Sequence, residues 1–173
     1  MFEGCVLGVD PGLGAAGLAA LGAVHGQLHL SWSETVHTPP ELPEAGRLRA
    51  LHEAVRNAIA EHRPAAVAVE RLMWGRNTTS AFGVARASGV VLLAAAQAGV
   101  PVEEYAPLEV KMAITGIGNA EKDRVRAALI RAHRVVGVPE QADAADAVAV
   151  ALCHLHQSRL RRATRTAGGA GVR

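Results

Sequence analysis

The sequence predicts a mixed α/β protein: one five-stranded sheet, an antiparallel meander followed by parallel strands, with helices on both faces. Two observations predict it. Three apolar runs near the start are too short for helices and are joined by a few turn residues, as an antiparallel meander requires. The later strand-like runs are separated by segments of helical length, as in a sheet covered by helices.

The first strand is predicted over Cys5–Asp10, where Val6-Leu7-Gly8-Val9 ends in a carboxylate before the turn Pro11–Gly14. Two further strands follow over Ala16–Leu21 and Gln27–Val36. In the second, Leu28, Leu30 and Trp32 fall on one side and His29, Ser31 and Ser33 on the other. Thr38-Pro39-Pro40 breaks the chain. Leu48, Leu51, Val55 and Ile59 then recur at helical spacing, predicting a helix over Pro43–His62. Strand four is Ala65–Glu70. After the polar, basic loop Arg71–Thr79, a helix over Ser80–Ala98 has Arg86 as its only charged residue, and a helix apolar nearly all round is covered on more than one side. Strand five is Val100–Tyr105. A short helix after Pro107 carries Lys111. The turn Gly116–Asn119 ends in an N-cap candidate, Asn119, before a helix that carries Lys122. The last helix is predicted over Ala142–Arg159.

Half of the 173 residues are hydrophobic but only five are aromatic, so the core is built of Ala, Val and Leu and suits close packing of helix on sheet. The expected organisation is one domain over residues 1–158 and a basic, disordered tail over 159–173. Five of the 18 basic residues lie in that tail, leaving 13 ahead of it against 16 acids. Such a tail either solubilises the chain or touches nucleic acid without sequence preference. The start of the chain lacks a basic leader, and no apolar stretch is long enough to span a bilayer. Cys5 and Cys153 fall in apolar segments without metal-ligand spacing. A cytoplasmic protein is the expectation.

Four carboxylates carry the chemistry. Asp10 and Glu70 each end a buried strand, which delivers an acid to the sheet edge. Asp143 and Asp146 are three apart and share a helix face. Together they can present oxygen ligands to hard divalent cations, which clamp a phosphoryl displacement. Each has an ordinary reading as well. Asp10-Pro11-Gly12 is good turn chemistry, Glu70-Arg71 can be a solvated pair, and Asp143 and Asp146 can stabilise a helix N-terminus. Gly12-Leu13-Gly14-Ala15-Ala16-Gly17 matches a dinucleotide-binding fingerprint, but Gly17, Gly22 and Gly26 make a poor helix there. An actin-like phosphotransferase lobe is a second rival, and it requires a second lobe that 173 residues do not provide.

Four segments in order, Leu7-Gly8-Val9-Asp10-Pro11-Gly12, Val69-Glu70, Gly116-Ile117-Gly118-Asn119-Ala120-Glu121-Lys122 and Gln141-Ala142-Asp143-Ala144-Ala145-Asp146-Ala147, resemble the RuvC family of Holliday-junction resolvases. The resemblance spans about residues 5–158 and implies an RNase H-like fold, a homodimer and two divalent ions per subunit, Mg2+ or alternatively Mn2+. It implies a structure-selective endonuclease that makes paired nicks in four-way junction DNA during recombination and repair, with a branch-migration helicase as partner. Matched by position, Asp10, Glu70, Asp143 and Asp146 are the implied catalytic metal ligands. Lys111 and Lys122 match the family's basic residues near the scissile phosphate. Arg76 and Asn77 are expected to contact DNA. Where the family commonly has a junction-wedging aromatic this chain has Met73, with Trp74 beside it, so either can be the wedge, and Trp74 can instead be a lid on the core. A junction-binding protein without cleavage activity is the alternative of another class.

Overall fold

A computed structural model describes residues 3–73 and 78–168. The elements in chain order are β1 (Glu3–Asp10), β2 (Ala15–Val24), β3 (Gln27–His37), α1 (Glu44–His62), β4 (Ala66–Glu70), α2 (Thr78–Gln97), β5 (Val102–Tyr105), α3 (Pro107–Thr115), α4 (Lys122–Arg131) and α5 (Ala142–Gly168). The strands form one sheet in the order β3-β2-β1-β4-β5. The β1–β2 and β2–β3 pairs are antiparallel, whereas β1–β4 and β4–β5 are parallel. The meander followed by parallel strands is as the sequence predicts.

Alternation along β1 sends side chains to two cores. Val6 joins Leu21, Ala68 and the buried faces of α3, α4 and α5, while Leu7 and Val9 join Leu18, Val67, Val69 and the faces of α1 and α2. Among the described residues no helix is long and apolar enough to cross a membrane.

Helix α5 lies against the sheet at two glycines. A Cβ on Gly8 would stand 2.1 Å from the Ala147 carbonyl oxygen, and one on Gly17 would stand 1.8 Å from that of Asp143. Glycine inside a strand marks such a close backbone approach. On the helix side Ala144, Ala147 and Ala151 are buried and small. These contacts fix the depth and azimuth of the helix whose first turns carry Asp143 and Asp146.

Four features depart from the sequence reading. In β3, Leu28 and Leu30 pack toward α5, but Trp32 and Val36 pack toward α1 and α2. Leu21 pairs with Leu30 and Ala20 with Trp32, so Ser31 is an extra residue that switches the faces, its hydroxyl donating to the Ala20 carbonyl at 3.1 Å. Asn119 is not the N-cap of α4: Glu121 holds that position with extended backbone and no side-chain cap bond. Asn119 lies inside a turn closed by the Ala120 N–H donating to the Ile117 carbonyl. Of the tail expected to be disordered, residues 159–168 are helical, because α5 continues through arginine, leucine and alanine, which favour helix, and residues 169–173 lie outside the described residues. Finally, among the described residues of one chain, α2 is covered on one side. Ala87 and Val91 are fully buried in the monomer core, whereas Phe82 and Leu93 are 57% and 53% exposed.

Replacing Gly17 with alanine is expected to destabilise the fold by about 1–3 kcal/mol or more, because backbone cannot yield as a side chain can. Gly46→Ala is the control, since a Cβ there meets nothing within 4 Å. Urea denaturation of both variants checks the difference, and equal stabilities would contradict the glycine contact.

Candidate active site

Parallel pairing of β1 with β4 sets Val9 beside Val69, so Asp10 and Glu70, the next residue on each strand, leave the sheet side by side. Asp10 also pairs with Gly17 of β2, the glycine on which the Asp143 backbone rests. The first turn of α5 is thereby held over the end of β1. Its free N–H groups favour the negative charge of Asp143, which that turn carries. Asp10, Glu70 and Asp146 line one cavity of about 290 Å³ with Pro107, Val110, Lys111, Lys122, Val125 and Ala149. Asp143 is not among the lining residues, although its charge is felt at Asp10.

The electrostatics record the cost of this convergence. Burial, then repulsion from Glu70 and Asp146, raises the Asp10 carboxyl to a pKa of about 8. Glu70 is also raised, by burial first and then by Asp146, while a hydrogen bond with Asp10 opposes the shift. Two adjacent carboxylates cannot both ionise cheaply, and one shared proton is the resolution. Lys122 supplies a positive charge: its Nζ donates to Asp146 Oδ2 at 2.5 Å. That hydrogen bond leads the causes that raise the Lys122 pKa. Lys111, on α3, lines the same cavity, and its charge lowers the Glu70 pKa.

As they stand, no three His, Cys, Asp or Glu side chains among the described residues are gathered closely enough to hold an ion. The donor chemistry nonetheless fits a hard cation. The donors are carboxylate oxygens alone, and the high Asp10 pKa marks a place short of positive charge.

Of the remaining expected contacts, Met73 is 58% exposed just beyond β4. Trp74, Arg76 and Asn77 lie outside the described residues. The sequence reading missed a clamp on the loop after Asp10. Arg47 of α1 donates to Thr38 Oγ1 at 3.0 Å and to the Leu13 carbonyl at 3.1 Å, and the Thr38 hydroxyl donates to the same carbonyl. No local signal announces a contact between residues this far apart in sequence. Gly8 and Gly17 were missed for another reason. They did carry a signal, since glycine inside an otherwise apolar strand has no packing value of its own.

Fold and site together define an RNase H-like nuclease. The family model for crossover junction endodeoxyribonuclease RuvC matches residues 6–154, and the chain belongs to that family. The RuvC of Roseiflexus sp. (strain RS-1) is 41% identical over 156 residues, covering 90% of this chain and 93% of that protein. The RuvC of Mycobacterium ulcerans is 45% identical over 150 residues, 86% of this chain and 82% of that one. Among solved structures, Thermus thermophilus RuvC in complex with Holliday junction substrate superimposes with a TM-score of 0.84 at 37% identity, covering 91% of this chain and 96% of that one. The yeast mitochondrial resolvase Ydc2, at a TM-score of 0.62 and 13% identity, shares the fold.

With divalent cations chelated, the site makes stability depend on pH. Asp10 holds its proton to about pH 8 when folded but only to about 3.8, the ordinary value, when unfolded. Between these values the folded state binds more protons, so stability falls as pH rises, by at most about 1.4 kcal/mol per unit for one proton. Denaturation from pH 5 to 8 in chelator checks this. Asp10→Asn is expected to flatten the slope, and a wild-type stability that rises with pH over this range would contradict the buried cluster.

Proposed function

We infer that this protein resolves four-way DNA junctions as a metal-dependent endonuclease, acting as a homodimer whose subunits nick two opposed strands. The carrying observation is the cavity where Asp10, Glu70 and Asp146 meet Lys111 and Lys122 beneath the start of α5. Asp10, Glu70, Asp143 and Asp146 would hold two divalent ions, Mg2+ or Mn2+. When bound, these supply an activated water and neutralise charge on the phosphate. The chain's own groups prepare the site. The carboxylates lie at the ends of rigid elements, and the Arg47 clamp holds the loop behind Asp10. Lys111 and Lys122 bring compact charges to where a scissile phosphate would lie.

Exposed Met73, or Trp74 next to it in sequence, is the junction wedge, and an aromatic at this point can stack on any base without reading sequence. Arg76 and Asn77 hold the backbone. Residues 1–158 form the catalytic unit, and the arginines of 159–173 add non-specific affinity. A cytoplasmic location belongs to the same reading, and a branch-migration helicase partner rests on the family resemblance. The junction-binding alternative without cleavage is disfavoured by the intact carboxylate set.

The dimer is assigned to the outer face of α2, not to Ala87 and Val91, which are spent on the monomer core. Phe82, Gly89 and Leu93 recur on that outer face, where a Cβ on Gly89 would meet nothing. An exposed apolar helix face suits a self-complementary two-fold contact.

Asp10→Asn, Glu70→Gln, Asp143→Asn and Asp146→Asn are each expected to abolish nicking of a synthetic junction while binding survives or improves, since each removes negative charge near phosphates. Two variants that cut at wild-type rates would refute the shared site. Leu93→Glu is expected to give a monomeric mass by light scattering and to uncouple the paired nicks, and an unchanged dimer would overturn the α2 assignment. Lys111→Arg and Lys122→Arg keep the charge but replace a point with a broad planar fork. Each is expected to slow single-turnover cutting about tenfold or more, with affinity little changed. Normal rates in both would reduce these lysines to generic charge.

A further inference from the structure

Thr35 lies opposite Gly17 in the β2–β3 pairing. Cross-strand partners share a face, so its side chain lies on the α5 side of the sheet, next to the position where Gly17 has none. The missing Cβ of Gly17 would stand 1.8 Å from the Asp143 carbonyl oxygen and 2.9 Å from the Ala144 nitrogen. Thr35 therefore flanks the first turn of α5, the turn that carries Asp143.

Its hydroxyl is anomalous. Thr35 Oγ1 is shut off from solvent and has no hydrogen-bond partner among the described residues. Nearby hydroxyls are satisfied: Ser31 donates to the Ala20 carbonyl and Thr38 to that of Leu13. A buried hydroxyl without a partner weakens a fold, and valine would fill the same volume without that cost. The oxygen is therefore not explained by packing. Asp143 presents the complementary gap. Its charge reaches Asp10, yet it is absent from the lining of the cavity that holds Asp10, Glu70 and Asp146. A carboxylate that ligates a cation needs one rotamer fixed, which a donor beside it supplies.

We propose that Thr35 is a positioning residue whose hydroxyl, unpartnered in this structure, would turn to donate to the Asp143 carboxylate when a divalent cation is bound and so fix the orientation in which that carboxylate ligates it. The inference rests on the reading of Asp143 as a ligand. A donor to the free oxygen of a ligating carboxylate orients the ligand, and losing such a donor costs about 10–100-fold in metal affinity.

The test is Mn2+ binding to the full-length protein without DNA, followed by electron paramagnetic resonance, together with thermal unfolding in chelator. Thr35→Val is expected to weaken Mn2+ binding about tenfold or more, with the chelated melting temperature unchanged or raised. Thr35→Ser, which keeps the hydroxyl, is expected to bind as the wild type does. In an Asp143→Asn background Thr35→Val is expected to add nothing, because its partner is already altered. If Thr35→Val binds Mn2+ normally while Asp143→Asn does not, the positioning role is overturned and the ligand reading stands. Normal Mn2+ binding by Asp143→Asn would sink the ligand reading and this inference with it. A Thr35→Val protein that melts lower in chelator, with a binding loss that persists in the Asp143→Asn background, would show a structural role and overturn the proposal. If Thr35→Val does not fold, Thr35→Ser decides alone: folded but weakened for Mn2+ overturns the proposal, and wild-type binding supports it.

Discussion

Everything that makes this sheet a site depends on how closely α5 approaches it. A helix resting on side chains stands off a sheet by the thickness of those side chains. Here Gly8 and Gly17 remove them at two points, and the helix meets the strands with alanine and backbone. The first turns of α5 are thereby lowered to the end of β1, and Asp146 shares a cavity with Asp10 and Glu70. Packing in such an interior tolerates little adjustment, so the same contact that stabilises the core also sets the spacing of the acids.

That spacing has an electrostatic cost, which the protein meets locally. Asp10 is driven up to about 8 by burial and by its neighbours. Lys122 offsets part of the repulsion through its bond to Asp146. An all-carboxylate cluster beside two lysines is unfavourable alone and favourable around cations and a phosphate. On the proposed function, the site is organised for a charge distribution that cations and a phosphate would complete, as electrostatic preorganisation for phosphoryl transfer requires. Lys111 and Lys122 arrive from separate elements, α3 and α4, both packed into the core that α5 anchors.

Helix α2 divides one apolar segment between a buried stripe and an exposed one. Its inner stripe, with Ala87, Val91, Ala94 and Ala95, completes the core beneath α1, while its outer stripe keeps Phe82 and Leu93 exposed. The Arg86–Glu44 pair, at 2.6 Å, ties the helix to α1 beside that outer face. An uncovered apolar stripe of this kind is what the proposed two-fold contact would cover.

Much of this was legible in the sequence. Apolar runs ended by Asp10 and Glu70 gave both the strands and the acids, because a buried strand and its polar terminus are local properties of the chain. The three-residue spacing of Asp143 and Asp146 gave one helix face for the same reason. Features decided by contacts between distant segments were not legible. Which stripe of α2 is buried depends on where α1 lies. The face presented by Trp32 depends on one extra residue at Ser31, set by pairing with β2. The need for glycine at position 17 appears only when the Asp143 backbone is placed against it. Periodicity fixes what a segment can bury, but only the tertiary fold decides which neighbour it buries against. That choice is a packing energy shared between segments, and neither segment encodes it alone.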